Sequence, residues 1–319
     1  MPAEWEAHDA CFIVYPHSGF TFRLEKARQE FRKIAIAIAV EGCEDVVLFC
    51  RTRELAQEVQ QIVDKEMQLQ PSTSHKLTTR VCPSDDSWAR DIGPTFVLST
   101  TNDRNIVGLD WGFNAWGGPN EGCYWPCNLD QVATSLMCKE WNNIQKSRYS
   151  SKQEQAVLLT TRKIPLILEG GSIHVDGQGT VLATKECLLN PNRNPTKSQQ
   201  EIESILLQSL GANKMIWLPY GVDGDEDTNG HVDNWCCFAK PAHLVLSWTD
   251  DGDNDSINYK RCREALALLE RETDARGRKL TIHKLPLPPP MVGSLHPTYH
   301  LGINNFLGNF THTYLFCLP

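Results

Sequence analysis

The chain has 319 residues, 41% hydrophobic and 22% charged, with a formal net charge of −8. That composition suits a globular protein able to bury a large core. Its basic residues are scattered, with no dense Lys/Arg run, which excludes an electrostatic footprint for nucleic acid and favours a small cationic partner. The start, Met1-Pro2-Ala3-Glu4-Trp5-Glu6, lacks the basic region of a signal peptide. The apolar run Ile34 to Val40 is too short to span a membrane. Twelve cysteines show no zinc-finger spacing, so reduced thiols and a cytoplasmic location are expected.

The predicted elements begin with strand Cys11–Tyr15, a helix near Leu24–Val40 and strand Val46–Cys50. Three segments then share one order, strand-strand-helix-strand. The first is Pro94–Ser99, Asn105–Asp110, helix Leu129–Trp141 and Ile164–Leu168. The second is Ser172–Val175, Thr180–Thr184, a helix from Lys197 to Leu210 and Met215–Leu218. Thr196 and Gln199 read as its capping box. The third is Asn234–Ala239, Leu244–Trp248, helix Ile257–Thr273 and Lys279–Lys284. The polar stretch between Trp141 and Ile164 reads as a surface loop. Residues before Cys50 look like a fourth, partial copy.

Each repeat is entered through a loop of unusual residues, so units packed about a common axis would bring those loops together. The richest runs Asp225-Glu226-Asp227-Thr228-Asn229-Gly230-His231-Val232-Asp233-Asn234. An imidazole beside a carboxylate, ringed by acids, suits acid/base work on a cation. A second loop carries Trp88 and Asp91. A carboxylate next to an indole face can hold a guanidinium by paired hydrogen bonds and cation–π contact. The alternative is that Asp91 forms a structural pair with Arg90. Glu169 ends the apolar run Leu166-Ile167-Leu168, where a charge needs a partner, and His231 is a candidate. Gly170-Gly171 reads as a backbone turn. His174 reads as packing, Trp116 as a wall or a packed aromatic, and Asn190-Pro191-Asn192-Arg193-Asn194-Pro195 as a strand-to-helix link.

Several blocks carry a family resemblance: Met1-Pro2-Ala3-Glu4-Trp5, Asp86-Ser87-Trp88-Ala89-Arg90-Asp91, Gly112-Phe113-Asn114-Ala115-Trp116-Gly117-Gly118, Leu168-Glu169-Gly170-Gly171-Ser172-Ile173-His174, Leu188 through Pro195, and Gly224 through Asn234. In order and spacing the chain resembles the agmatine deiminase family, most closely its plant-type members, from Met1 to about Leu287. The resemblance implies an α/β pentein fold, a five-fold β/α propeller of ββαβ units. It implies hydrolysis of agmatine to N-carbamoylputrescine and ammonia, a step towards putrescine, with no metal or organic cofactor. Asp91 and Asp233 would grip the guanidinium, and His231 would shuttle protons. Glu169 would orient and charge that imidazole, Trp88 and Trp116 would line the pocket, and Asp225 and Asp227 would hold the far amine.

The family also places a nucleophilic cysteine in a Gly-Gly-x-Asn-x-His-Cys context, to form an amidino-thioether. No such context occurs here, and Cys317 lacks the neighbouring glycines and asparagine. The expectation is an incomplete pentein domain over 1–287, about three full units plus one partial, then a divergent, truncated tail over 288–319. No nucleophile is assigned. Strands at the break would be unpaired edges prone to association, leaving a homodimer open. Three alternatives stay open: an arginine or peptidyl-arginine deiminase, a non-catalytic guanidinium-binding or regulatory chain, and a disrupted product.

Overall fold

The computed structural model describes residues 1–19, 21–99, 106–149, 158–253, 256–287 and 315–318. The expected tail therefore lies outside the described residues, apart from 315–318. In chain order the first elements are β1 (Ala10–Val14), α1 (Leu24–Ala37), β2 (Asp45–Cys50), α2 (Arg53–Met67) and β3 (Leu77–Val81). Next come β4 (Thr95–Leu98), β5 (Ile106–Gly112), α3 (Ala133–Tyr149) and β6 (Thr160–Ile167). They are followed by β7 (Ile173–Val175), β8 (Thr180–Thr184), α4 (Gln199–Leu210) and β9 (Lys214–Leu218). The last are β10 (Cys236–Lys240), β11 (His243–Trp248), α5 (Ser256–Leu269), β12 (Thr281–Pro286) and β13 (Leu315–Leu318). This is a mixed α/β fold built from small sheets. Two compact units result. One comprises Met1–Trp5, Trp111–Pro126 and Ile164–His312; the other comprises Glu6–Asp110, Cys127–Lys163 and Thr313–Pro319.

The Glu6-containing unit holds a sheet in the order β13-β1-β2-β3. Strands β1, β2 and β3 are parallel, and β13 runs antiparallel to β1 with Cys11 opposite Cys317. All five residues of β1 are buried, as a parallel strand covered on both faces requires. The expected unpaired edge at the N-terminal strand is thus not observed, because β13 pairs with it. Helix α2 starts at Thr52, whose hydroxyl accepts from the Leu55 amide at 3.2 Å, and it buries Ala56, Val59 and Val63. Neither α2 nor β3 was among the predicted elements: frequent Glu and Gln dilute the apolar period of the helix. Helix α3 continues eight residues past Trp141. The polar stretch read as a loop is helical to Tyr149 because Ile144 and Gln145 are buried and Arg148 pairs with Asp45 at 2.5 Å. Residues 150–157 of that stretch lie outside the described residues.

The Ile164-containing unit holds two strand-strand-helix-strand segments in the predicted order. In each, two antiparallel strands are followed by a helix and a parallel strand: β7, β8, α4, β9 and then β10, β11, α5, β12. Strand β8 is central and wholly buried. The capping box of α4 is formed by Ser198 and Glu201, not by Thr196 and Gln199. Gly211 ends that helix in the left-handed region at φ +65°. Leu182, Ile216, Leu218, Val232, Trp235 and Leu246 form part of this unit's core. Among the described residues, no helix is long and apolar enough to cross a membrane.

Candidate active site

Glu169 follows the end of β6. The Leu168 amide donates to the Gly112 carbonyl at 3.0 Å, and the chain then enters a tight turn, Gly170–Ser172. This leaves the Glu169 carboxylate with no exposed surface. Such a charge must be matched, since an isolated carboxylate in a dry interior is very costly. Two groups match it. Arg193 donates from Nε to Oε1 at 2.8 Å, and His231 Nε2 lies 3.5 Å from Oε2. Burial works to raise the carboxyl, but the Arg193 guanidinium and then the His231 imidazole override it, and Glu169 is held below the ordinary carboxylate range.

Asp233 sits on a short helical turn, Val232–Asn234, just before β10, and His231 is the residue that caps the turn's start. Their side chains are 3% and 6% exposed, and His231 Nδ1 lies 4.0 Å from Asp233 Oδ1. The imidazole therefore has a carboxylate near each ring nitrogen. Gly171 makes this approach possible. A methyl at its Cα would lie 2.5 Å from His231 Nδ1 and 2.8 Å from Asp233 Oδ2. Gly171 is therefore more than a turn residue: its missing side chain leaves room for the His231 ring.

The acidic loop ahead of His231 has an internal job. Asp225 accepts from the Thr228 hydroxyl at 2.5 Å, the Thr228 amide at 3.1 Å and the His231 amide at 3.1 Å. Its carboxylate shapes the loop that presents His231. Asp227 is exposed, and its carbonyl accepts from Cys123 Sγ at 3.8 Å. Asn229 and Gly230 both take positive φ, at 59° and 85°, as an Asn-Gly turn requires.

Trp116 is buried in the loop that follows β5, and Ala115 and Trp116 have φ values of 54° and 64°. Non-glycine residues held there in succession store strain, which concentrates at functional sites. The Trp116 ring meets Phe113 and Tyr124 edge-on, at 5.2 and 5.8 Å. Its carbonyl accepts from Arg193 Nη1. Arg193 also donates to Asn229 Oδ1 at 2.7 Å and to the Thr228 carbonyl at 3.2 Å. One guanidinium thus ties together Glu169, the Trp116 loop and the loop before His231. By its sequence context Arg193 belongs to a connecting turn, which by itself gives no sign of these contacts. The available signal was a lone arginine within an Asn/Pro run, beside a buried acid in need of a counter-charge.

Cys187 was missed as well. Its sulfur, a Glu169 oxygen and a His231 nitrogen all lie within 4.8 Å of one another, and all three residues are buried. Burial raises the thiol, and the hydrogen bond to His231 opposes that rise only in part. His174, read as packing, is buried but also polar in its contacts: Nε2 lies 3.2 Å from Glu4 Oε2 and Nδ1 accepts from the Phe238 amide at 3.3 Å.

Trp88 and Asp91 belong to the other unit. Asp91 is half-buried in a helical turn, Ala89–Ile92, that Trp88 precedes. Trp88 donates from its indole nitrogen to Asp86 Oδ2 at 2.9 Å and packs against Phe22. Glu169, His231, Asp233 and Trp116 all lie in the first-described unit.

A buried carboxylate-imidazole-carboxylate cluster can transfer protons next to a bound cation. Comparison with known proteins gives this chemistry a family. The profile of the Porphyromonas-type peptidyl-arginine deiminase family matches residues 1–311. The chain belongs to that family. It is 41% identical over 292 residues to a protein named agmatine deiminase from Pseudomonas aeruginosa strain LESB58, covering 91% of this chain and 71% of that one. A Medicago truncatula protein of the same name is 40% identical over 298 residues, covering 91% and 72%. A solved structure described as the agmatine deiminase of Enterococcus faecalis catalysing its reaction superposes with a TM-score of 0.76. It is 31% identical, with 95% of this chain and 75% of that chain covered. Proteins so named are hydrolases.

Proposed function

We propose that this chain is an agmatine-directed member of its family. The observation that carries the reading is the buried cluster of Glu169, His231 and Asp233, in which the imidazole lies 3.5 Å from one carboxylate and 4.0 Å from the other. Asp233 accepts from the guanidinium N–H groups through charge-assisted hydrogen bonds. In the family's covalent route Glu169 would stabilise the imidazolium form of His231, which would donate a proton to departing ammonia and then take one from the attacking water. Trp116 offers an apolar wall. The guanidinium-holding roles expected of Asp91 and Trp88 are tested by agmatine calorimetry on Asp91→Asn and Trp88→Ala. The pentein reading rests on the repeated strand-strand-helix-strand units and the 0.76 TM-score.

Agmatine is preferred because relatives about 40% identical bear that name. The acidic loop is weaker support than its composition suggested, since Asp225 is engaged with Thr228 and His231. The family's description also favours a second reading, deimination of a peptidyl-arginine.

The covalent route needs a thiolate that attacks the guanidinium carbon. Cys187 is unsuited: burial raises its thiol, whereas nucleophilic cysteines have lowered values and partial exposure. No cysteine of the sequence lies in the Gly-Gly-x-Asn-x-His-Cys context. We infer that the 319-residue polypeptide binds agmatine and turns it over negligibly by itself. Ammonia release from purified protein tests the second half, and turnover typical of an enzyme would contradict it. Calorimetry with agmatine, arginine and a peptidyl-arginine tests the first half. Binding of the peptide in preference to agmatine would establish the second reading.

A further inference from the structure

We propose that Glu169, Cys187 and His231 form a capture site for a thiophilic divalent cation of the zinc class, and that the cation excludes a guanidinium ligand. The proposed functional cluster explains the carboxylate and the imidazole but gives no role to the thiol beside them. Sulfur, oxygen and nitrogen donors converge there within 4.8 Å, from three buried side chains. Two ligand atoms each about 2.1 Å from a tetrahedral zinc lie roughly 3.4 Å apart. Glu169 Oε2 and His231 Nε2 are already 3.5 Å apart.

The donors are set on fixed backbone. Cys187 lies in a helical turn, Lys185–Leu188, that is capped by Thr184. The Thr184 hydroxyl accepts from the Cys187 amide at 3.2 Å and donates to the Gly230 carbonyl at 2.6 Å. One residue thus joins the thiol's turn to the residue preceding His231. Arg193 holds the other oxygen of Glu169 and fixes that carboxylate's orientation. Support of ligands by such outer hydrogen bonds is what metal sites require.

The donor set decides the ion. A thiolate, an imidazole and a carboxylate suit Zn2+, Co2+ or Cd2+, whereas Mg2+ and Ca2+ call for oxygen alone. Binding forms a metal–sulfur bond and releases the thiol proton to solvent, with no change in oxidation state. A dication held on the His231 imidazole places positive charge beside Asp233, whose carboxylate lies 4.0 Å from the same ring, and that charge opposes a guanidinium there. The competition half of the inference rests on the proposed agmatine reading; the metal-binding half does not.

The test is titration of the full chain with CoCl2, followed by near-ultraviolet and visible absorption. One equivalent should produce a sulfur-to-cobalt charge-transfer band and tetrahedral d–d bands. The charge-transfer band should vanish in Cys187→Ser and, as a second variant, in Cys187→Ala, each shown to be folded by near-ultraviolet dichroism. If both variants misfold, His231→Gln serves, and it should reduce cobalt affinity at least tenfold. Absence of the band in the unsubstituted chain, or its survival in a folded Cys187 variant, would overturn the metal site. Agmatine should raise the cobalt concentration needed for half-saturation. Agmatine that binds the metal-free chain yet leaves the cobalt titration unchanged would overturn the competition. A chain that shows the band but binds no agmatine would support the metal site and refute the agmatine reading.

Discussion

Arg193 Nε donates to Glu169 Oε1 at 2.8 Å, and neither side chain is exposed. A guanidinium built into the protein thus neutralises the carboxylate that faces His231. Either partner alone would be an uncompensated charge in the core. Breaking such a pair typically costs about 3–5 kcal/mol, while replacing both partners with apolar residues costs far less. Arg193→Met should lower unfolding free energy by that amount in urea melts, and Glu169→Gln should do likewise. The double variant Glu169→Leu/Arg193→Met should lose less than the two single losses added together. Additive losses would show that the two side chains act independently.

Glu169 also sets a pH dependence. Its folded-state carboxyl lies below the ordinary range, despite burial, because of Arg193 and His231. A depressed carboxyl contributes stability above the unfolded value of about 4, and loses that contribution as pH falls through the folded value. Urea midpoints should therefore hold from neutral pH to about 5 and fall below that. The fall should be shallower in Glu169→Gln, which has no charge to lose. Equal acid slopes for the two proteins would remove Glu169 from this role.

Gly171 is a steric prediction. An added methyl would meet His231 Nδ1 at 2.5 Å. The ring and its turn would have to move, and overpacking of this kind costs about 1–3 kcal/mol. Gly171→Ala should lower the unfolding midpoint and weaken agmatine binding by displacing His231 from Glu169. An alanine variant with the parent's stability and affinity would mean that the ring relocates freely.

Ser198 offers a local check on the fold. It forms the capping box of α4 with Glu201. Ser198→Ala should lower Tm, and Thr196→Ala should leave it unchanged, because only Ser198 satisfies the first-turn amide. The reverse pattern would support the start that the sequence reading favoured.

Much of this molecule was legible in its letters, and the misses share one cause. The three strand-strand-helix-strand segments follow from period-two and period-3.6 patterns bounded by turn residues, and those signals are local. Glu169 was recognisable as a charge ending an apolar run, and His231 with Asp233 as ionisable groups opening a buried strand. Arg193, Cys187 and Gly171 were not. Arg193 acts on Glu169 across 24 positions, and Gly171 on His231 across 60. No local pattern encodes such a contact. Asp225 misled for the opposite reason: its acidity suggested a ligand, while its neighbours Thr228 and His231 use both of its oxygens. Helix α2 was hidden by its own polarity, since three buried positions in fifteen leave a faint stripe.

The central claim is that Asp233, beside His231 and Glu169, receives a guanidinium. Isothermal calorimetry with agmatine on the parent chain and on Asp233→Asn tests it most directly. Loss of a charge-assisted hydrogen bond is worth about 1.5–3 kcal/mol, so affinity should fall roughly ten- to a hundredfold, with the asparagine variant still folded. Equal affinity in the two proteins, or no binding by the parent chain, would contradict the account.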